Sequence, residues 1–272
     1  MWRGLYTAAS GMITEMRRTD TLANNLANAD TAGFKRDEAV NREFEPMLIR
    51  RINDGTDKGN VTTFKQFHVG DSLPRVGTLG LGSYIDEVAT DHSQGPFQTT
   101  GNPLDLGISG DGYFAVDTPQ GVRYTRNGSF FRSSTGEIQT VNGQRVRGQG
   151  GRGIVVPRNA IQLNVTPEGE ISAMVDGQRQ VLGRLEFVSF GPDPRAVLKQ
   201  GDSLYYPQAG AQPQPARGTI EQGVLEKSNT QVVSEMVALI NNYRVYEAGS
   251  KAVTTQDSLL DKAVNEIAPI SG

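Results

Sequence analysis

The sequence predicts an α+β protein: long N- and C-terminal helices forming a coiled-coil layer, with a central antiparallel β-rich domain. Three observations predict it. Apolar residues recur at seven-residue intervals at both ends of the chain. Turn-forming pairs punctuate the middle at a spacing near ten residues. Glycine is abundant, with 32 among 272 residues, which suits many short strands and tight turns. In chain order this gives a helix with a helix-ending motif over 1–38, an extended segment over 39–100 and a β-rich outer domain over 101–207. A connector over 208–227 and a C-terminal helix over 228–272 complete it.

The first helix is expected over residues 3–28. Leu5, Met12, Thr19 and Leu26 hold one heptad position, and Ala9, Met16 and Ala23 hold the second. Gly11 and several Asn and Thr lower its intrinsic propensity, so packing has to stabilise it. It runs into NNLANADTAGFK, residues 24–35. Asn24, Asn25 and Asn28 offer side chains to loose backbone groups at the helix end. Gly33 suits the left-handed exit, Phe34 an apolar anchor, and Lys35 the negative end of the helix.

The segment 39–100 carries weak signals: a polar loop at 53–60 and a Gly-rich extended stretch at 76–88. A structureless loop of this length is unusual in a compact domain, so the segment is expected either to pair with the middle or to lie against neighbours. From Pro103 onwards, strands alternate with turns at SGDG, Asn127-Gly128, Asn142-Gly143, Pro167-Glu168-Gly169 and Asp176-Gly177. QAGAQPQPARG, residues 208–218, reads as a connector. The last helix is expected from Thr230 to Ile267, with Ser228 or Asn229 as N-cap. Val232, Leu239, Tyr246, Val253, Leu260 and Ile267 hold one seam. Met236, Tyr243, Ser250, Asp257 and Val264 hold the other.

Composition excludes several classes. Basic and acidic residues number 27 and 30, for a net charge of −3, unlike a dedicated nucleic-acid binder. There is no cysteine, so no disulfide, thiolate metal site or Cys nucleophile. His68 and His92 stand in polar, Gly-rich surroundings without a second ligand at helical or hairpin spacing, and read as solvated loop residues. No stretch reaches the length of a membrane span, and the N-terminus lacks a signal-peptide core. GQGGRG at 148–153 fits a dinucleotide fingerprint by letters alone, because a strand follows it where a helix is needed. Asp105, Asp111 and Asp117 lack calcium-loop spacing and read as turn residues. No catalytic constellation, metal site or cofactor motif emerges. Residues 122–158 hold seven arginines against the single acid Glu137. Arg123, Arg126, Arg132, Arg145 and Arg147 are therefore candidates for an outer-surface contact, set against the plainer reading of a solvated strand face.

Three motifs carry a family resemblance. ANNLANADTAGFK (23–35), PLDLGISGDGYFAV (103–116) followed by YTRNGSF (124–130), and SNTQVVSEMVALINNYRVYEAGSKAVTTQDSLL (228–260) resemble, in order and position, the signatures of bacterial flagellar axial proteins, specifically basal-body rod proteins. Gly107, Thr230 and Leu239 stand where the family more often has Ala, Val and Met. The resemblance implies terminal helices packed as a coiled coil lining a helical tube, and a β layer outside it. It implies export by the flagellar type III apparatus and assembly with itself and with other rod and hook subunits at the basal body. Peptidoglycan or a bushing ring would be the outer neighbour. It implies no enzyme activity, cofactor, nucleic acid or membrane insertion. The segment before SQGPFQTTGNPLDL and the YEAGSKAVTTQD tail resemble the distal rod type, and RVRGQGGRGIVVP with VLGRLEFVSF the proximal. Two other classes remain beside it. A wall enzyme would need paired acids such as Asp105 and Asp111; an envelope-binding module would use the Arg-rich strands.

Overall fold

A computed structural model describes residues 2–50, 75–191, 193–263 and 265. The loop read at 53–60, His68, Val264 and Ile267 lie outside the described residues. Two α-helices, α1 (Trp2–Ala27) and α2 (Val232–Lys262), stand at the ends of the chain. Between them, among the described residues, strands fall into six sheets of two to nine strands.

The expected fold class is corrected by this arrangement. The chain is mostly β, with one helix at each end, and the helices do not build a long coiled-coil layer. The reason lies in what the helices present. A coiled coil needs apolar knobs buried along the whole seam. Here Met16, Met236 and Tyr243 of the expected seams are exposed. The contacts between the helices are made instead by polar and small residues seven apart on α2. Asn242 donates to Glu15 O and Thr19 Oγ1, each at 2.6 Å. Gly249 lies against Met12, where an added Cβ would come within 2.8 Å of Met12 Cγ, and Gln256 lies beside Gly4. Positions rise along α1 as they fall along α2, so the two run antiparallel there.

The chain divides into two compact units. The first comprises Met1–Asp20, Ala39–Val88 and Leu239–Gly272. It holds those helix contacts and, among the described residues, the pairing of Met47–Arg50 with Arg75–Leu79. Thr14 Oγ1 donates to Ser83 O at 3.0 Å, and Phe44 packs on Tyr84 with ring centres 5.2 Å apart.

The second unit comprises Thr21–Glu38 and Ala89–Ala238. Its main sheet centres on Tyr113–Thr118, which pairs antiparallel with Gly121–Thr125, Arg145–Val146 and Phe187–Ser189. Phe114, Val116, Phe130, Ile138 and Ile171 lie in one core on one side. Tyr113, Ala115, Tyr124 and Tyr205 lie in a second, so alternate residues of the central strand feed opposite cores. Turns at Asn142-Gly143, Pro167-Glu168-Gly169 and Asp176-Gly177 join strands that do pair. The SGDG and Asn127-Gly128 turns do not. Leu106–Ser109 pairs with Thr219–Gln222, and Phe130–Arg132 pairs with Ile138–Thr140. The stretch read as connector therefore contributes strands, Val224–Glu226 also pairing with Phe97–Thr99. Sequence pattern alone cannot show such pairing, because the partners lie more than a hundred residues away.

Candidate functional site: a polar hub and exposed helix faces

The helix-ending motif opens into a buried polar hub within the second unit. Gly33 adopts φ +67° and its N–H donates to Glu226 O at 2.8 Å. Glycine is required twice over. Left-handed backbone disfavours a side chain. A Cβ here would also collide with Asn127 N and lie 2.6 Å from Arg126 O. That close approach seats Phe34 and Lys35 inside the unit.

Lys35 is fully buried, as is Glu226, with Nζ and Oε1 2.6 Å apart. Nζ also donates to Ser93 O at 2.7 Å, and Gly95 N–H donates to the same carboxylate at 3.0 Å. Arg126 Nη1 approaches Glu226 Oε2 at 3.4 Å, and its guanidinium covers the Tyr113 ring at 5.2 Å. Burial pushes the Lys35 pKa below the usual lysine value, opposed by the adjacent Glu226 carboxylate. Buried charges are tolerated when each finds partners, and here the partners come from four separate stretches of chain.

A second ring of bonds surrounds it. Asn25 exchanges two hydrogen bonds of 2.8 Å with the backbone of Asp37, fixing the turn after α1. Lys199 Nζ donates to Lys35 O at 2.6 Å, pairs with Asp37 at 2.9 Å and sits 3.7 Å above the Phe34 ring. Asn229, expected as an N-cap, instead accepts from Arg36 N–H at 2.8 Å and donates to Asp91 O at 2.9 Å. Arg36 pairs with Asp91 at 3.1 Å.

The remaining motif residues divide. Asn28 is half-buried and its side chain donates to Asn24 O at 2.9 Å, a helix-ending bond. Asn24 is exposed. On α1, Leu5, Ala9, Met12 and Leu26 are half-buried, whereas Met16 and Ala23 are exposed. On α2, Leu239, Tyr246, Val253 and Leu260 are half-buried. Val232, Met236 and Tyr243 are exposed, and Val233, Val237 and Ile240 join them. At 100° per residue these six lie within one arc of the helix. Tyr6 and Ile13 are exposed on α1. Both helices thus carry large apolar side chains in contact with solvent.

Of the arginines singled out for their density, Arg132 and Arg145 are exposed, Arg123 and Arg147 half-buried, and all five hold partners within the chain. Arg126 is buried in the hub. Arg145 and Arg147 both hold Asp117, at 2.6 and 3.1 Å, and Arg147 also holds Glu186 at 3.0 Å. Arg123 donates to Gln200 Oε1, and Arg132 to Pro157 O at 3.2 Å. The acids Asp117 and Glu186 lie outside the window 122–158, which is why that window looked unbalanced. Burial pushes Asp117 upwards, but the bonds from Arg145 and Arg147 outweigh it and hold its carboxyl below the usual range. Asp105 is buried, accepting from Asn102 at 3.0 Å. No group of three or more His, Asp or Glu able to hold a metal occurs among the described residues. No described helix is long and apolar enough to cross a membrane.

Sequence reasoning missed Glu226, Lys199 and Asp37, each of which looks like an ordinary surface residue of a turn or strand, and read Asn229 only as a helix cap. Lys35 directly after an aromatic anchor was the one local signal that a cation is carried inward with it.

Comparison with known proteins points one way. Residues 5–35 match the family model "Flagella basal body rod protein". Residues 107–173 match "Flagellar hook protein FlgE/F/G D1 domain", and residues 221–266 match "Flagellar basal body rod FlgEFG protein C-terminal". The chain is 33% identical to the flagellar basal-body rod protein FlgG of Bacillus subtilis, over 97% of this chain and 99% of that protein. It is 32% identical to FlgG of Caulobacter vibrioides, over 95% and 97%. It is 29% identical to the flagellar hook-basal body complex protein FlhO of Bacillus subtilis, over 99% and 100%.

Proposed function

This chain belongs to the flagellar basal-body rod protein family, and on that premise we propose that it builds a helical tube that transmits torque from motor to hook. It is a structural subunit of the rod, of the distal type, and not an enzyme. Its place is the flagellar basal body in the cell envelope, where it assembles with other basal-body subunits.

The observation that carries the tube reading is the exposed apolar arc of α2. An isolated chain gains nothing by leaving Val233, Met236, Ile240 and Tyr243 in water. Burial against neighbouring copies would recover roughly 25 cal/mol for each Å² of apolar area. The hub supports the mechanical part. A shaft needs a stiff subunit, and buried, paired charges clamp residues 33–37 to residues 91–95, 126, 199 and 226–229. In the same reading the chain leaves the cytoplasm through the flagellar type III export apparatus, and its outer layer meets peptidoglycan or a bushing ring.

The test is assembly in vitro. Purified chain is expected to form filaments visible by electron microscopy. The double variant Ile240→Ser/Tyr243→Ser is expected to stay monomeric with an unchanged unfolding midpoint. Filaments from that variant would defeat the reading.

A further inference from the structure

We propose that Met16 and Met236 form an oxidation switch on self-association: a peroxide converts their thioethers to sulfoxides in the unassembled chain, and the sulfoxides hinder docking to other copies. The effect on docking rests on the rod reading above; the identity of the oxidised residues does not.

Four methionines have described surroundings, and they fall into two classes. Met12 is half-buried and lies against α2, where a Cβ added to Gly249 would sit 2.8 Å from Met12 Cγ and 3.6 Å from its sulfur. Met174 is half-buried in a strand paired on both sides, opposite Ile161 on one neighbour and Arg179 on the other. Met16 and Met236, by contrast, are 53% and 47% exposed. Each stands on a helix face with other large apolar side chains in water. Met16 shares one side of α1 with exposed Tyr6 and Ile13, within an arc of about 80° at the helical period. Met236 shares the outer arc of α2 with Val233, Val237, Ile240 and Tyr243.

The chemistry needs only a peroxide. A sulfur lone pair attacks one peroxide oxygen, an S–O bond forms as the O–O bond breaks, and hydrogen peroxide leaves as water. Sulfur is oxidised by two electrons and the peroxide is reduced by two. The product carries a polar oxygen on what was a flexible apolar side chain. In the free chain that oxygen is solvated. Between docked copies it must find a donor or be buried without one. Among the other large residues of the α2 arc, Tyr243 alone carries a side-chain donor. The switch therefore has a direction: free subunits are sensitive, and docking covers the sulfurs and protects them.

The experiment treats the purified full chain with hydrogen peroxide. Sulfoxides are mapped by peptide mass spectrometry, and the critical concentration for filaments is measured by pelleting. Sulfoxide is expected at Met16 and Met236 while Met12 and Met174 remain thioethers. The critical concentration is expected to rise at least about tenfold, towards the lower end of what burying an unpartnered polar group costs. Methionine sulfoxide reductases should reverse the rise. The double variant Met16→Leu/Met236→Leu, compared only with itself before and after treatment, is expected to lose the response. Three results would each overturn the proposal: Met12 or Met174 oxidised as fast as the exposed pair, an unchanged critical concentration once both are oxidised, or a double variant that responds in full. A chain that forms no filaments even untreated would defeat the tube reading and the switch with it, while the sulfoxide map still decides separately whether these two residues are the oxidised ones.

Discussion

Lys35 and Glu226 are charged and wholly buried, whereas Val233 and Tyr243 are apolar and 75% and 67% exposed. The hub and the outer arc of α2 thus invert the usual rule in opposite directions. The difference lies in where each finds its partners. A buried charge must be compensated inside the chain, because leaving it unpaired costs several kcal/mol. Lys35 therefore has Glu226 and Ser93 O within 2.7 Å. An exposed apolar side chain costs much less in water, so it can wait for a partner from outside. The hub finds its partners within the chain; in the reading proposed above, the arc finds its partners on other chains.

The sharpest way to break this contrast is Gly33→Val. It places a β-branched side chain on left-handed backbone and against Arg126 and Asn127. The expected loss is above about 3 kcal/mol, combining strain and overpacking. Urea unfolding would read it, and a near-normal midpoint would show that the motif does not dock as described.

Next comes the pair itself. Glu226→Gln leaves Lys35 and Arg126 buried without a counter-charge, for a loss of about 3–5 kcal/mol. Lys35→Met should cost less, because Arg126 remains to face Glu226. The double variant should recover part of the loss, a coupling that a double-mutant cycle measures. Additive losses would mean that the pair is not coupled.

Asn25→Ala should cost about 1–3 kcal/mol by leaving the N–H and carbonyl of Asp37 unpaired. This sharpens the comparison, since Asn24 one residue earlier is exposed and its replacement by Ala should change stability by less than about 0.5 kcal/mol.

The smallest effect belongs to the Arg145–Asp117–Arg147 clamp, which is partly exposed. Asp117 has a lowered folded pKa. Its contribution is thus present above the ordinary value of 3.8 and is lost as pH falls through the folded value. Asp117→Asn should flatten this part of the acid limb of a stability–pH curve. An acid limb that keeps its full steepness would show that Asp117 does not contribute to it.

The sequence by itself determined the local chemistry. The two terminal helices follow from apolar recurrence at both ends. The hairpins at 142–143, 168–169 and 176–177 follow from turn residues adopting φ above zero, with Asp176 at +50° and Gly177 at +81°. Gly33 and Phe34 were legible as the way out of a helix, whereas Lys35, read as facing the negative helix end, is buried against Glu226. Only the tertiary structure decided which strands pair across the connector, that Asn229 binds Arg36 rather than capping α2, and that Glu226 receives Lys35 from 191 residues away. It also decided that a third line on α2, Asn242, Gly249 and Gln256, meets α1, leaving Met236 and Tyr243 outside. The physical reason is common to all of these. Propensity, turn geometry and periodicity are set by a residue and its near neighbours. Burial of a charge or of a helix face depends on what arrives from elsewhere in the chain, and a linear pattern carries no record of that arrival.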